Sequence, residues 1–117
     1  MSLIYCYQNR SITKDLTIKS GAGATIVPGE NDLVRIRVGR SATIDTAPVL
    51  AVTSNAATAA GSTLTTNSPG SGLNRLVLKA ADLGFSPGTY TAAIDLWDNA
   101  DSAWKNVSRQ IFQLEPT

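Results

Sequence analysis

The chain has 117 residues, a length typical of one domain, and 43% of them are hydrophobic, which is enough for a core. Its formal net charge is +1, from 10 basic and 9 acidic residues, so no strong field favours nucleic acid or a membrane surface as partner. Histidine is absent and Cys6 is the only cysteine, which excludes the standard histidine-dependent triads and an internal disulfide.

The first half of the chain predicts short strands separated by turns. Residues 3–7 are apolar and β-prone, and form either a first strand or part of an N-terminal arm over 1–10 that lies on a neighbouring molecule. Residues 15–19 alternate, with Leu16 and Ile18 directed inward. Residues 24–27 are a short candidate strand.

The clearest strand of this half covers residues 33–38. Its hydrophobic positions alternate with Arg35 and Arg37, which we expect to face water or a partner molecule. Weaker strand candidates follow at 43–44 and 49–52. With so little net charge, the arginines favour a solvated face or ion pairs at a subunit contact over a nucleic-acid site.

The stretch 54–72 is rich in Ala, Thr, Ser, Gly and Asn. Such a composition favours an exposed flexible loop or an extended arm, with a short strand around 63–65. We expect one domain over 1–117 that carries this loop.

The second half gives the strongest strand pattern. A strand over 73–79 is followed by a helical turn near 80–84, and a Pro-Gly turn then leads into a strand reaching Asp98. In that strand Tyr90 and Ile94 share the buried face, while Asp95 and Trp97 share the opposite face. A polar turn and a run over 104–114 complete a hairpin. The sequence therefore predicts an all-β, immunoglobulin-like sandwich of seven or eight short strands.

Few groups in the chain point to chemistry. Cys6 has no activating neighbour in sequence and is interpreted as a small buried residue. Asp95, Asp98 and Asp101 surround the hairpin turn, where they either stabilise the turn or, less typically, bind a cation. We therefore expect no enzyme activity, no metal and no cofactor.

The two tryptophans leave two interpretations open. Either Trp97 lies outward, opposite the strand of Trp104, as a cross-strand aromatic pair or an interface anchor, or one tryptophan caps the open end of the sandwich. A third hypothesis, a carbohydrate-binding module, uses both rings with Tyr90 as a stacking platform.

Several segments together resemble the small immunoglobulin-like domains of tailed bacteriophages. The resemblance lies in the Asp-Leu-Thr-Ile strand at 15–18 and in residues 73–114, which include Ala-Ala-Asp-Leu at 80–83 and Pro-Gly-Thr-Tyr at 87–90. These domains occur as capsid decoration (cement) proteins and as modules of tail and baseplate proteins.

The resemblance implies a virion structural protein, foremost a capsid decoration protein on the head surface, made in the host cytoplasm. A tail or baseplate module is the alternative. The implied partners are the major capsid protein or other virion proteins, and the chain is expected to form a homo-oligomer without nucleic acid or membrane. The expected contact residues are Leu3, Ile4, Tyr5, Tyr7, Arg35, Arg37, Trp97 and Trp104.

Overall fold

The computed structural model describes residues 3–19, 22–28, 33–67 and 72–117. In these residues the chain forms nine strands and one 3-10 turn. The strands are β1 (Leu3–Tyr7), β2 (Ile12–Lys19), β3 (Thr25–Ile26), β4 (Val34–Gly39), β5 (Leu50–Thr53), β6 (Thr63–Thr65), β7 (Leu73–Leu78), β8 (Gly88–Asp98) and β9 (Ala103–Glu115). The 3-10 turn covers Ala80–Leu83.

The strands form two sheets, with orders β1-β9-β8-β4-β5 and β3-β2-β7-β6. β1 runs parallel to β9, and every other pairing is antiparallel. The core lies between the sheets and contains Phe112, Ile94 and Leu76, each at most 1% exposed. The predicted all-β immunoglobulin-like sandwich is confirmed, and the described residues form nine strands where seven or eight were expected.

The Pro-Gly-Thr-Tyr segment forms a corner that leads into β8 and is held by Tyr90. The hydroxyl of Tyr90 donates a hydrogen bond to the backbone oxygen of Ser86, four residues upstream, and its ring packs edge-on against Phe85. This is the tyrosine corner of immunoglobulin-like sandwiches. Ala92, two residues on, is fully buried where antibody domains carry a disulfide cysteine.

The stretch expected to be a flexible loop is partly ordered. An isolated bridge joins Thr53 to Ala56, and β6 pairs with β7. The hydroxyls of Thr58 and buried Ser62 both donate to the carboxylate of Asp82 in the 3-10 turn. Hydrogen bonds therefore tie residues 54–67 to the sandwich, and residues 68–71 of the expected loop lie outside the described residues.

At the beginning of the chain the first-strand alternative is confirmed, whereas the loop after β4 differs from expectation. β1 is an integral strand of the larger sheet rather than a separate arm, although residues 1–2 of the expected arm lie outside the described residues. The weak strand candidate at 43–44 is wrong because Thr43 and Ile44 belong to a turn. In that turn the amides of Thr46 and Ala47 both donate to the carbonyl of Thr43.

Candidate functional site: the outer face of the five-stranded sheet

The face of the five-stranded sheet that points away from the core has two dissimilar halves. Over β4 and β8 it carries charged side chains, which the chain itself covers. Over β1 and β9 it carries exposed apolar side chains. We call the first half the ion cluster, comprising Arg35, Arg37, Asp45, Asp95 and Asn106. We call the second half the apolar stripe, comprising Leu3, Tyr5, Tyr7 and Ile111.

Asp95 is the centre of the ion cluster. Its side chain is 1% exposed, and Arg37 contacts both of its oxygens, with Nε at 2.7 Å and Nη2 at 3.1 Å. Arg35 Nε donates to the same carboxylate at 3.0 Å, and Asn106 Nδ2 donates at 3.1 Å. Arg37 also donates to Asp45 at 2.8 Å. Each buried charge in the cluster therefore has a charged partner and several hydrogen bonds.

Strand register explains why these residues meet. Arg35 pairs with Asp95 across β4 and β8, and Arg37 pairs with the next outward residue, Ala93. A bulge shifts the β8–β9 register between Ile94 and Asp95, so that Asn106 comes opposite the carboxylate. Bulges commonly redirect side chains in this way.

The pKa values follow from this arrangement. Burial by itself raises the pKa of Asp95, but hydrogen bonds from Arg37, Asn106 and Arg35 outweigh it and lower the pKa below the ordinary value. The hydrogen bond to Asp95 raises the pKa of Arg37. The pair is therefore held in its ionised form, which suits a structural ion pair and not a proton-transfer group.

A turn of the chain closes over the ion cluster. The backbone oxygen of Ile44 accepts a hydrogen bond from Arg37 at 3.3 Å, and the Ile44 side chain is fully buried outside the main core. The turn approaches so closely that a Cβ on Gly39 would lie 3.3 Å from the Cα atoms of both Ile44 and Pro48. A side chain at position 39 would therefore force this turn to move slightly away from β4.

The tryptophans cover the other side of the cluster. Trp97 and Trp104 are directly opposite each other on β8 and β9, with ring centroids 5.4 Å apart and planes at 70°. The Arg35 guanidinium lies 4.5 Å from the centre of the Trp104 ring. Of the two interpretations left open, the cross-strand pair is the one the structure shows. Tyr90 is buried on the opposite side of the sheet, so the three rings do not form a common stacking platform.

The apolar stripe gathers most of the exposed large hydrophobic residues that the structure describes. The structure describes six exposed large hydrophobic residues, and four of them, 40–46% exposed, belong to the stripe. Leu3 pairs with Ile111 across β1 and β9, and the rings of Tyr5 and Tyr7 meet edge-on with centroids 5.6 Å apart. A contiguous exposed patch of this kind marks a contact surface more often than scattered apolar residues do.

Polar groups border the stripe on the side of β8. The hydroxyl of Thr89 donates to the side-chain oxygen of Gln113, whose amide donates to Glu115 at 2.9 Å. At one end, the guanidinium of Arg10 lies 5.7 Å from the centre of the Tyr7 ring. An apolar centre with a hydrogen-bonded polar rim is the usual anatomy of a protein–protein interface.

The sheet offers little for chemistry. Burial raises the pKa of the Cys6 thiol to about 11, so the thiol stays protonated and unreactive. The three carboxylates near the hairpin turn do not share one site, because Asp95 is bound to arginines while Asp98 and Asp101 both contact Lys105. Within residues 3–19, 22–28, 33–67 and 72–117 there is no group of three or more potential metal ligands and no detectable cavity. No helix in these ranges is both long and apolar enough to cross a membrane.

The expected contact residues fall into three groups. Leu3, Tyr5 and Tyr7 lie together in the apolar stripe. Ile4, between them, is fully buried, because alternate residues of a strand point to opposite faces. It is therefore a core residue and is not available as a surface contact.

The remaining expected contacts belong to the ion cluster and its cover. Arg37 is 9% exposed and engaged by two carboxylates, so it does not face a partner. The side chain of Arg35 is 24% exposed and lies beneath Trp104. Trp97 and Trp104 are half-buried against each other.

Two residues of the site were missed by the sequence interpretation. Asp95 was placed on the outward face of its strand and near the hairpin turn, but its pairing with the arginines of β4 was not predicted. Ile111 was not singled out, although it alternates with the buried residues Gln110 and Phe112. In both cases the missing information is the register between strands that are distant in sequence.

Comparison with known proteins assigns no family to the chain. No protein-family model matches the chain, and no curated protein matches it. Among solved structures, the chain is similar to the NK cell receptor Nkp44, described as a triggering partner in natural cytotoxicity. The identity is 10%, the TM-score is 0.49, and the match covers 98% of this chain and 96% of that one. A likeness at this level carries no inference about function.

Proposed function

We propose that this protein is a non-enzymatic structural protein that acts by binding other proteins through the apolar stripe. The observation that carries the proposal is the concentration of exposed apolar side chains on one half of one sheet, beside a half that the chain has covered itself. Tyrosines suit such a surface because they bury a large area at a small cost in side-chain entropy.

The class of protein proposed is a bacteriophage capsid decoration protein. The support is the sequence resemblance, whose segments correspond to β2 and to the continuous run from β7 to β9. The partner would be the major capsid protein, and the location would be the virion surface. Such a role needs a rigid surface repeated in many copies, since many weak contacts then act together.

The rigidity of the sheet is consistent with this role. The ion cluster and the tryptophan pair fix β4, β8 and β9 together beside the stripe. A surface that is already ordered loses less conformational entropy when it binds.

The experiment is a binding titration with undecorated capsids of the phage that encodes the protein. We expect saturable binding at micromolar concentration, and we expect Tyr7→Asp to weaken it by about tenfold or more, since it replaces an aromatic contact residue by a charge. The matched control is Val27→Asp, which places the same charge at an exposed valine following β3 in the other sheet.

Two results of the titration would each contradict a part of the proposal. Absence of wild-type binding at micromolar concentration would contradict the capsid role. Equal losses in the two variants would contradict the role of the stripe. A parallel titration with purified tails separates the alternative, because binding to tails and not to heads would favour a tail or baseplate module.

A further inference from the structure

Of the four sheet edges, β1 is the least protected. β3 has two residues and is followed closely by Pro28, and β6 has three residues. β5 has four residues and begins shortly after Pro48. The chain turns back after β5 and forms an isolated bridge between Thr53 and Ala56. β1 has five residues with the sequence LIYCY, without a charge, a proline or a bulge. Those are the devices by which proteins normally block an exposed edge.

The backbone groups that face outward along β1 can be assigned. The amide of Gln8 donates to the carbonyl of Glu115 at 2.8 Å. Bonds to one neighbour recur at every second residue in a parallel ladder, so Ile4 and Cys6 also direct their backbone groups to β9. The backbone groups of Leu3, Tyr5 and Tyr7 therefore point to the free edge. In the described part of the chain, only the carbonyl of Tyr7 has a partner there, the amide of Arg10 at 3.2 Å.

We infer that this edge pairs with the same edge of a second copy of the chain, in antiparallel orientation, about a twofold axis at Tyr5. In this register Tyr5 lies opposite the second copy's Tyr5, and Leu3 lies opposite the second copy's Tyr7. The Tyr5 pair exchanges two backbone hydrogen bonds. In each Leu3–Tyr7 pair the amide of Tyr7 donates to the carbonyl of Leu3, while the carbonyl of Tyr7 already accepts the amide of Arg10. The two five-stranded sheets then form one continuous sheet.

The register follows from the ends of the strand. A twofold axis at Tyr7 would place Tyr5 opposite Asn9 of the second copy. Asn9 has a φ of 60°, which is left-handed and cannot continue a strand. An axis at Tyr5 keeps every outward-pointing residue of β1 within the pairing, and therefore uses the most hydrogen bonds.

The side chains make the second copy a suitable occupant. Across the axis, tyrosine meets tyrosine and leucine meets tyrosine on the outer face, while Ile4 meets Cys6 on the inner face. No charged side chain lies on β1, so the symmetric pairing brings no like charges together. The net charge of +1 adds little long-range repulsion between copies.

The area involved predicts a reversible dimer. A tyrosine side chain has on the order of 200 Å² of surface, and those of Tyr5 and Tyr7 are each 44% exposed. With Leu3 and Ile111 the stripe exposes on the order of 300 Å² per copy, and edge pairing covers only the part of it along β1, well below the ~800 Å² per partner of a standard interface. Pairing would place two apolar stripes side by side on one sheet. The use of that doubled surface on a capsid rests on the proposed function, whereas the pairing itself does not.

Sedimentation equilibrium of the purified chain, from micromolar to millimolar concentration, tests the pairing. We expect a monomer–dimer equilibrium in the wild type. Tyr5→Lys should weaken it by about tenfold or more, because it places two lysines opposite each other on the axis. The matched control, Thr65→Lys, puts the same charge on the exposed edge strand β6 and should leave the dimer unchanged.

A measurement on the wild type alone covers the case in which Tyr5→Lys does not fold. Amide hydrogen exchange at Tyr5 should slow as the concentration rises, while exchange at Ile4, already bonded to β9, should not change. A wild type that stays monomeric at millimolar concentration would overturn the inference, as would a dimer unaffected by Tyr5→Lys or equally weakened by Thr65→Lys. The sedimentation experiment contains no capsid and therefore tests the pairing independently of the proposed function. A protein that stays monomeric but binds capsids in the titration would overturn only the pairing. A dimer that fails to bind capsids removes only the proposed function.

Discussion

The two halves of the outer sheet face reverse the usual relation between polarity and exposure. In the ion cluster, Asp95 is 1% exposed and Arg37 is 9% exposed. In the apolar stripe, two tyrosines, a leucine and an isoleucine are 40–46% exposed. Both halves belong to the same sheet, and β9 contributes to each. Exposure here is therefore decided by what covers the face and not by the residues on it.

The ion cluster and the apolar stripe differ in their effect on the free energy of folding. A buried charge is tolerated only when it is paired and hydrogen-bonded, a condition that Asp95 meets through three partners. An exposed apolar side chain loses the free energy that burial would supply, and that free energy stays available for association. The first half thus stabilises the fold, and the second half retains the capacity to bind.

The largest effect on stability is expected from Asp95→Asn. This substitution preserves shape but leaves the guanidinium of Arg37 without its buried counter-charge, which should cost about 3 kcal/mol in the free energy of unfolding. Urea denaturation measures the change. The matched control is Asp15→Asn, which removes the same charge from the exposed pair with Arg75 and should have little effect. Similar losses in the two variants would contradict the importance of burial.

The same carboxylate predicts an acid dependence. The pKa of Asp95 lies below 3.8 in the folded protein, while the unfolded carboxyl titrates near that ordinary value. Acid therefore protonates the unfolded chain first, and the stabilisation, complete above about pH 3.8, is lost as the pH falls through the lower folded value. The stability difference between wild type and Asp95→Asn should shrink over this range. A constant difference would contradict the assignment.

A smaller effect is expected from Gly39→Ala, which tests the cover of the ion cluster. The added Cβ would press on the backbone of Ile44 and Pro48, and the cost should be about 1–3 kcal/mol. Gly84→Ala is the control, because its Cβ meets only Asn9 Oδ1 at 3.4 Å. Thermal unfolding of both variants checks the difference, and equal melting temperatures would show that the turn does not need this close approach.

The smallest effect on stability is expected in the apolar stripe. Ile111→Thr keeps a β-branched side chain at an exposed position and should change the free energy of unfolding by less than about 1 kcal/mol. The same variant should weaken capsid binding. A loss of stability as large as that of Asp95→Asn would mean that the stripe serves the fold and not a partner.

Alternation within each strand was predictable from the sequence. The pattern in β8 placed Tyr90 and Ile94 inward and Asp95 outward, and the structure has them so. The pattern in β1 likewise separates Tyr5 from buried Ile4, since side-chain direction has a period of two residues in any strand. Local signals also identified the turn after β7 and the hairpin between β8 and β9.

What covers each face could be decided only by tertiary structure. Arg37 reads as an outward residue in its strand, yet it is buried because β8 brings Asp95 to it from 58 residues away and the turn at Ile44 closes over it. The sequence by itself therefore determined which side chains share a face. The folded chain decided which face stays open, because strand register and loop closure depend on contacts between residues far apart in sequence.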